Sequence, residues 1–188
     1  MLSVIRMELP QFHEQQVERC AQLGLEAKDL RLSHVAVRMR TWNEYVAARD
    51  SIETACVGNL ENVWNGRPIS KMLLAEPLPA AFGKTVELIE LIAPFHQRVY
   101  KMGVEHVGFI VGEGFDEFGR RHRDALTGQQ FQSGVNAPYY ILFEDYTHVK
   151  FYPWGLREVC EREGASFDVF THADWVPSDP TAGPYELV

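Results

Sequence analysis

The chain has 188 residues, of which 46% are hydrophobic and 23% are charged, a balance that excludes an intrinsically disordered protein. The net charge of −8 argues against nucleic acid as a partner, because binding to phosphates needs a basic surface. No apolar run predicts a signal peptide or a membrane span, and the three cysteines are far apart and form no paired motif. These features predict a globular cytoplasmic protein.

The first predicted element is a short helix from Pro10 to Gly24. Proline suits the first turn of a helix, and glycine suits the position just after the last turn. We expect this helix to form an N-terminal arm over residues 1–30.

A first module with the element order β-α-β-β-β is predicted for residues 31–94. Leu32–Met39 has strand character, and Thr41–Glu44 has the spacing of a capping box that begins a helix. Asn65-Gly66 predicts a hairpin turn between two strands. Thr85–Ile92 is the fourth strand of this module.

The same element order returns in residues 103–153, which predicts an internal repeat. The fold class is therefore α+β, with paired βαβββ modules forming an open cup-shaped barrel flanked by an N-terminal helix and by a C-terminal helix and tail. A single domain is expected over residues 1–160, and residues 161–188 form the tail.

Three side chains on separate strands suggest a metal site. His34 lies on the first strand of one module, His106 lies on the first strand of the other, and Glu90 lies on the fourth strand. Two imidazoles and a carboxylate suit one divalent ion such as Fe²⁺, Zn²⁺, Mn²⁺, Ni²⁺ or Co²⁺. The alternatives are histidines packed within strands and a Glu90 paired with an arginine such as Arg38.

Several short stretches resemble the YecM family, within the vicinal oxygen chelate superfamily of glyoxalase-like metalloenzymes. They are Ser33–Arg38, Asn65–Ile69, Ile89–Leu91, Gly103–Val107 and Val149–Trp154. The resemblance implies paired βαβββ modules around one divalent metal, with ligands from the first, fourth, fifth and eighth strands. These ligand positions carry over to His34, Glu90 and His106.

The eighth strand departs from the superfamily pattern, in which a glutamate often sits there. Lys150 and Tyr152 occupy this strand, and neither an ammonium nor a neutral phenol is a good ligand. We expect three protein ligands, with Lys150 among the substrate-binding residues. Tyr152 is predicted to act beside the metal as a catalytic residue that orients substrate or water or transfers a proton.

Two arginines are further candidates for substrate binding. Arg67 follows the Asn-Gly turn and would clamp a carboxylate with two hydrogen bonds, or it is a solvated turn residue. Arg38 shares the face of His34 and would serve the same purpose, or it forms an ion pair with a strand carboxylate such as Glu90 or Glu87.

The functional hypothesis is a metal-dependent enzyme acting on a small oxygenated, carboxylate-bearing metabolite by metal chelation. The reaction is of the isomerase or lyase type, or of the Fe(II) oxygenase type. The alternative is a non-catalytic protein that binds or sequesters a small molecule in the same cup. The expected partner is a small-molecule substrate, with neither nucleic acid nor membrane, and a homodimer is considered as the assembly.

Overall fold

The computed structural model describes residues 1–94 and 99–183, and this part of the chain contains four α-helices and nine β-strands. The helices are α1 Leu2–Gln22, α2 Trp42–Glu53, α3 Phe115–Arg121 and α4 Leu156–Arg162. The strands are β1 Arg31–Arg38, β2 Cys56–Trp64, β3 Arg67–Pro79, β4 Thr85–Ile92, β5 Gly103–Ile110, β6 Gly128–Gln129, β7 Tyr139–Leu142, β8 His148–Tyr152 and β9 Phe170–Thr171. Within the described ranges, no helix is both long enough and apolar enough to cross a membrane.

All nine strands form one open sheet in the order β6-β7-β8-β5-β1-β4-β3-β2-β9. The first strand of each module pairs in parallel with the last, as β1 with β4 and β5 with β8. Strands β1 and β5 pair antiparallel at the centre. This pairing relates the two modules by an approximate two-fold axis and confirms the predicted α+β fold of paired βαβββ modules.

Two β-bulges interrupt the central pair β1–β5. The register skips Ser33 on one strand and Glu105 on the other, so each bulged residue immediately precedes a histidine. A bulge places two residues opposite one and re-aims the side chains beside it. Strict alternation predicts that Leu32 shares a face with His34, and this is wrong, because Leu32 packs in the main hydrophobic core.

Helix α1 begins at Leu2 rather than at the predicted Pro10, which lies inside the helix. An interior proline removes one backbone hydrogen bond and costs about 3 kcal/mol. The helix nevertheless continues because one side of it is buried from end to end. The buried residues are Ile5, Leu9, His13, Gln16, Val17 and Cys20.

The C-terminal tail packs back on the domain and covers one edge of the sheet. Strand β9 pairs in parallel with β2, and Phe167 is buried beside α4. The main-chain N–H of Ala173 donates to Glu61 (2.9 Å). Residues 184–188 of the predicted tail lie outside the described residues.

Candidate metal centre

Three side chains from the centre of the sheet converge on one point. The Nε2 atoms of His34 and His106 are 3.4 Å apart. Glu90 Oε2 lies 3.9 Å from Nε2 of His34 and 3.3 Å from Nε2 of His106. Strands β1, β4 and β5 therefore bring together the three residues predicted as metal ligands.

Each histidine is oriented by the bulged residue before it. His106 Nδ1 lies 3.2 Å from Oε1 of Glu105, a carboxylate that can only accept, so Nδ1 carries the proton. His34 Nδ1 lies 2.9 Å from the hydroxyl of Ser33, which also accepts the main-chain N–H of Leu156 (2.7 Å). The Ser33 hydroxyl can accept from Nδ1 of His34 or donate to it. When Nδ1 carries the proton in both rings, each Nε2 turns a lone pair towards Glu90, which is the form in which histidines bind a metal.

The titration behaviour of the site agrees with these assignments. Burial lowers the pKa of His34 to about 3, and the nearby Glu90 only partly opposes this shift. Burial would raise the pKa of Glu90, but the neighbouring His106 and the charge of Lys150 hold it well below its usual range. A neutral imidazole and an ionised carboxylate are the forms that bind a metal.

The spacing of the three atoms fits a divalent cation. A triangle with these sides has a centre about 2.1 Å from each atom, and zinc bonds to nitrogen and carboxylate oxygen are about 2.0–2.2 Å long. In the tautomer that has both ring protons on Nδ1, the three atoms are all acceptors and repel one another. A bound cation removes this repulsion, so the donor set suits the metal that the family resemblance implies.

Small residues make room for both histidine rings. His34 lies opposite Gly108, and His106 lies opposite Ala36. A Cβ atom added to Gly108 would lie 2.5 Å from Cε1 of His34, which is too close for any real contact. Glycine is therefore required at position 108 for the ring of His34 to occupy its place.

The register of β8 shows which residue corresponds to Glu90 in the second module. Glu90 pairs with Ala36 in one half, and Lys150 pairs with Gly108 in the other. Lys150 thus occupies the place related by the two-fold axis to Glu90. The ring of Tyr152 lies edge-on to His34, with centroids 5.4 Å apart, and it is buried outside the cavity described next.

A cavity of about 480 Å³ opens from the candidate metal centre. Arg38, Arg67 and Lys150, the three residues predicted to bind substrate, all line it. Arg38 holds Glu105 through two of its nitrogens and lies 3.8 Å from the ring centroid of Tyr100. Arg38 therefore forms the ion pair that was the alternative to substrate binding, but its partner is Glu105 rather than Glu90 or Glu87.

Two residues of the site were missed by sequence reasoning. Glu105 orients His106 through its contact with Nδ1. Burial would raise the pKa of Glu105, but the charge of Arg38 holds it well below its usual range. His148 stacks on His106 with centroids 4.2 Å apart, and burial lowers its pKa. The sequence does contain a signal for Glu105, because a polar residue directly precedes both repeated histidines, Ser33 before His34 and Glu105 before His106.

The side chain of Arg67, which was predicted to bind substrate, is buried at the rim of the cavity. It is 5% exposed, and one of its Nη atoms lies 3.4 Å from the main-chain oxygen of Asn65. Burial and the nearby Arg38 lower its pKa. Arg67 is therefore not a solvated turn residue.

Comparison with known proteins gives concordant matches. A family model described as YecM protein matches residues 2–136. Protein YecM of Escherichia coli (strain K12) is 24% identical over an alignment of 177 residues, covering 86% of this chain and 94% of that protein. A solved structure named Protein EC4020 has a TM-score of 0.66 and 24% identity, covering 86% of this chain and 92% of that one.

A more distant solved structure is a putative dioxygenase from Bacillus subtilis subsp. subtilis strain 168. It has a TM-score of 0.42 and 5% identity, covering 67% of this chain and 41% of that one. The family model spans well over half of the sequence, and the Escherichia coli relative aligns along nearly its whole length. This chain is a member of the YecM family.

Proposed function

We propose that this protein is a metal-dependent enzyme that acts on a small, anionic, oxygenated metabolite. The observation that carries the proposal is the convergence of His34, Glu90 and His106 at the end of a cavity lined by cationic side chains. The reaction classes that suit such a site are isomerase or lyase chemistry and, with iron, oxygenase chemistry.

The charge of the cavity favours an anion. Among the described lining residues, three cationic side chains face two carboxylates, which leaves one positive charge. One divalent cation would raise this to three. Arg38 and Glu105 neutralise each other, and the other charged side chains of the lining are Arg67, Lys150 and Glu90. An anionic substrate is therefore attracted to the cavity and held there.

The side chains of the site have separable tasks in this proposal. A divalent cation, when bound, supplies Lewis-acid polarisation of a substrate oxygen. Lys150 and Arg67 hold the negative charge of the substrate, and Tyr100 and Trp64 provide apolar walls. Tyr152 supports the ring of His34 from below the cavity.

The first experiment measures metal. Protein purified without chelators should contain about one divalent ion per chain by mass spectrometry. Glu90→Gln should abolish that content, whereas Glu87→Gln should preserve it, because Glu87 is on the surface and pairs with Arg157 (3.4 Å). Loss of metal in Glu87→Gln alone would show that the ligand assignment is wrong.

The second experiment separates an enzyme from a binding protein. Metal-loaded protein is incubated anaerobically and in air with a panel of 2-hydroxy and 2-oxo acids. Substrate consumption is followed by NMR, and oxygen uptake is followed with an electrode. Conversion of any acid that is lost in Glu90→Gln supports the proposal. Tight binding without conversion across the panel would favour the sequestration alternative.

A further inference from the structure

Tyr146 differs from the other aromatic residues that line the cavity because its backbone is left-handed. Three non-glycine residues of the described chain have a positive φ, namely Asn65 (49°), Phe82 (58°) and Tyr146 (63°). In this conformation the Cβ atom of a bulky residue lies close to a main-chain carbonyl oxygen, which is unfavourable. Such a backbone persists only where surrounding contacts enforce it, and it is concentrated at functional sites.

The fold accounts for the other two left-handed residues. Asn65 belongs to the Asn-Gly turn between β2 and β3, where asparagine tolerates the positive φ that the turn requires. Phe82 packs its ring on His13, with centroids 5.6 Å apart, and its ring centroid lies 5.1 Å from the ammonium of Lys28. Within residues 1–94 and 99–183, the side chain of Tyr146 has no hydrogen-bond, ring-stacking or cation partner, although it lines the cavity.

Contacts with helix α1 hold the turn that carries Tyr146. The turn joins β7 to β8, and the main-chain N–H of Phe143 donates to the carbonyl oxygen of Thr147 across it (2.9 Å). Asp145 accepts from Thr147 N–H (3.1 Å) and, through both carboxylate oxygens, from Arg19 of α1 (3.1 and 2.9 Å). The backbone of Tyr146 is therefore ordered before any ligand arrives, which lowers the entropic cost of binding.

Other flat groups line the same cavity. Trp64 at the end of β2 and Tyr100 before β5 both belong to the lining. The guanidinium of Arg38 lies 3.8 Å from the ring centroid of Tyr100, and that of Arg67 lies 6.0 Å from the ring centroids of both Trp64 and Tyr100. The volume of about 480 Å³ falls within the range of about 300–1,000 Å³ that is typical of ligand pockets, so it has room for more than a two- or three-carbon acid.

We propose that Tyr146 is a specificity-determining residue whose ring packs against an aromatic ring of the substrate. The substrate is then an aromatic acid, with its carboxylate in the cationic interior of the cavity and its ring held by Tyr146, Trp64 and Tyr100. The assignment rests on the proposed function, since it takes this cavity as the substrate site. A favourable aromatic pair changes affinity by about 2- to 10-fold beyond the burial of apolar area.

The test compares phenylacetate with cyclohexylacetate, two acids with the same number of carbon atoms that differ in the planarity of the ring. The saturated ring has the larger apolar surface, so a pocket that is only hydrophobic favours cyclohexylacetate. Dissociation constants are measured by ligand-observed NMR titration, with and without Mn²⁺. Wild-type protein should bind phenylacetate at least threefold more tightly than cyclohexylacetate. Tyr146→Leu should abolish this preference, and Tyr146→Phe should keep it.

Phe170→Leu is the matched control, because it removes an aromatic ring on β9 that is 50% exposed and lies outside the cavity. Its preference between the two acids should equal that of wild type. Tyr146→Asn gives an independent readout, since asparagine tolerates the left-handed backbone. Its thermal unfolding midpoint should stay equal or rise by about 2–4 °C while the preference for phenylacetate is lost.

The outcomes that overturn the proposal are distinct from those that overturn the proposed function. Wild-type protein that does not bind phenylacetate, or that binds cyclohexylacetate equally well, would show that the cavity does not select an aromatic ring. A preference that persists in Tyr146→Leu would overturn the assignment to Tyr146. A lower unfolding midpoint in Tyr146→Asn would show that this side chain serves the fold. Failure to take up Mn²⁺ would overturn the proposed function, whatever the preference between the acids.

Discussion

The two modules share a backbone plan but differ in the charge that each contributes to the site. Each supplies a histidine from its first strand, preceded by a bulged polar residue and faced by a small residue. Each also directs one long side chain from its last strand, which is Glu90 in the first module and Lys150 in the second. The symmetry of the fold therefore places a carboxylate and an ammonium at equivalent positions of the two modules.

The largest effect is expected from a substitution of the small residue that lies opposite a histidine. Gly108→Ala should weaken metal binding about 100-fold, because its Cβ would lie 2.5 Å from the ring of His34 and displace it. The free energy of unfolding should also fall by about 1–3 kcal/mol from overpacking. Metal titration and urea unfolding measure the two effects.

The mirror substitution, Ala36→Gly, is the control for this prediction. It makes both positions glycine and adds no atom near His106, so metal affinity should stay within about twofold. Its cost is about 0.5–1 kcal/mol for a glycine inside a strand. Equal metal loss in Gly108→Ala and Ala36→Gly would show that the rings are not held by these close contacts.

The bulged residues provide the next test, because they orient the two histidines with groups of different charge. Glu105→Gln should lower metal affinity about 10- to 100-fold, since it removes the carboxylate that fixes the proton on Nδ1 of His106. Ser33→Ala should lower it less, because a neutral hydroxyl orients His34.

Glu87→Gln removes a surface carboxylate and should leave metal affinity unchanged. Since Glu105 also holds Arg38, thermal unfolding of Glu105→Gln is measured alongside the titration. A larger loss of metal affinity in Ser33→Ala than in Glu105→Gln would contradict the prediction that the carboxylate orients its histidine more strongly than the hydroxyl does.

Much of this arrangement follows from sequence patterns, and the remainder depends on contacts that patterns do not encode. The repeat placed His34 and His106 on equivalent strands, and the apolar neighbours of Glu90 marked it as a buried carboxylate. Alternation along a strand assumes a regular pleat, so the bulges at Ser33 and Glu105 were not predicted. The correspondence of Lys150 with Glu90 required the register between β5 and β8, which is set by tertiary pairing.

Helix α1 packs against strands of both modules, on the opposite face of the sheet. His13 is buried and packs against Phe109 of β5, with ring centroids 5.8 Å apart. Burial, aided by the charge of Lys84, lowers the pKa of His13 to about 4. A histidine that is neutral in the folded protein is therefore buried between Phe82 of the first module and Phe109 of the second.

This histidine predicts how stability depends on pH. The unfolded chain binds a proton at His13 with a pKa of about 6.5, whereas the folded protein does so only near 4. The stabilisation is complete above pH 6.5 and is lost as the pH falls towards 4. Lowering the pH from 7.5 to 5 should cost about 2 kcal/mol through His13 alone.

Urea unfolding at both pH values, in wild type and His13→Leu, measures this contribution. The variant should lose about 2 kcal/mol less than wild type over the same interval, because its other histidines are unchanged. Equal losses in the two proteins would show that His13 does not stay neutral in the folded state.

The smallest effect is expected at Tyr152, and it decides whether β8 contributes a metal ligand. Burial raises the pKa of Tyr152 well above its usual range, with Glu90 adding to the shift, so the phenol is neutral and a poor ligand. Tyr152→Phe keeps the ring beside His34, and metal affinity should therefore change less than twofold. Any catalytic role of the hydroxyl would appear only as slower turnover with unchanged metal content. A loss of metal above tenfold would instead make Tyr152 a fourth ligand and give the second module a metal-binding residue on its last strand.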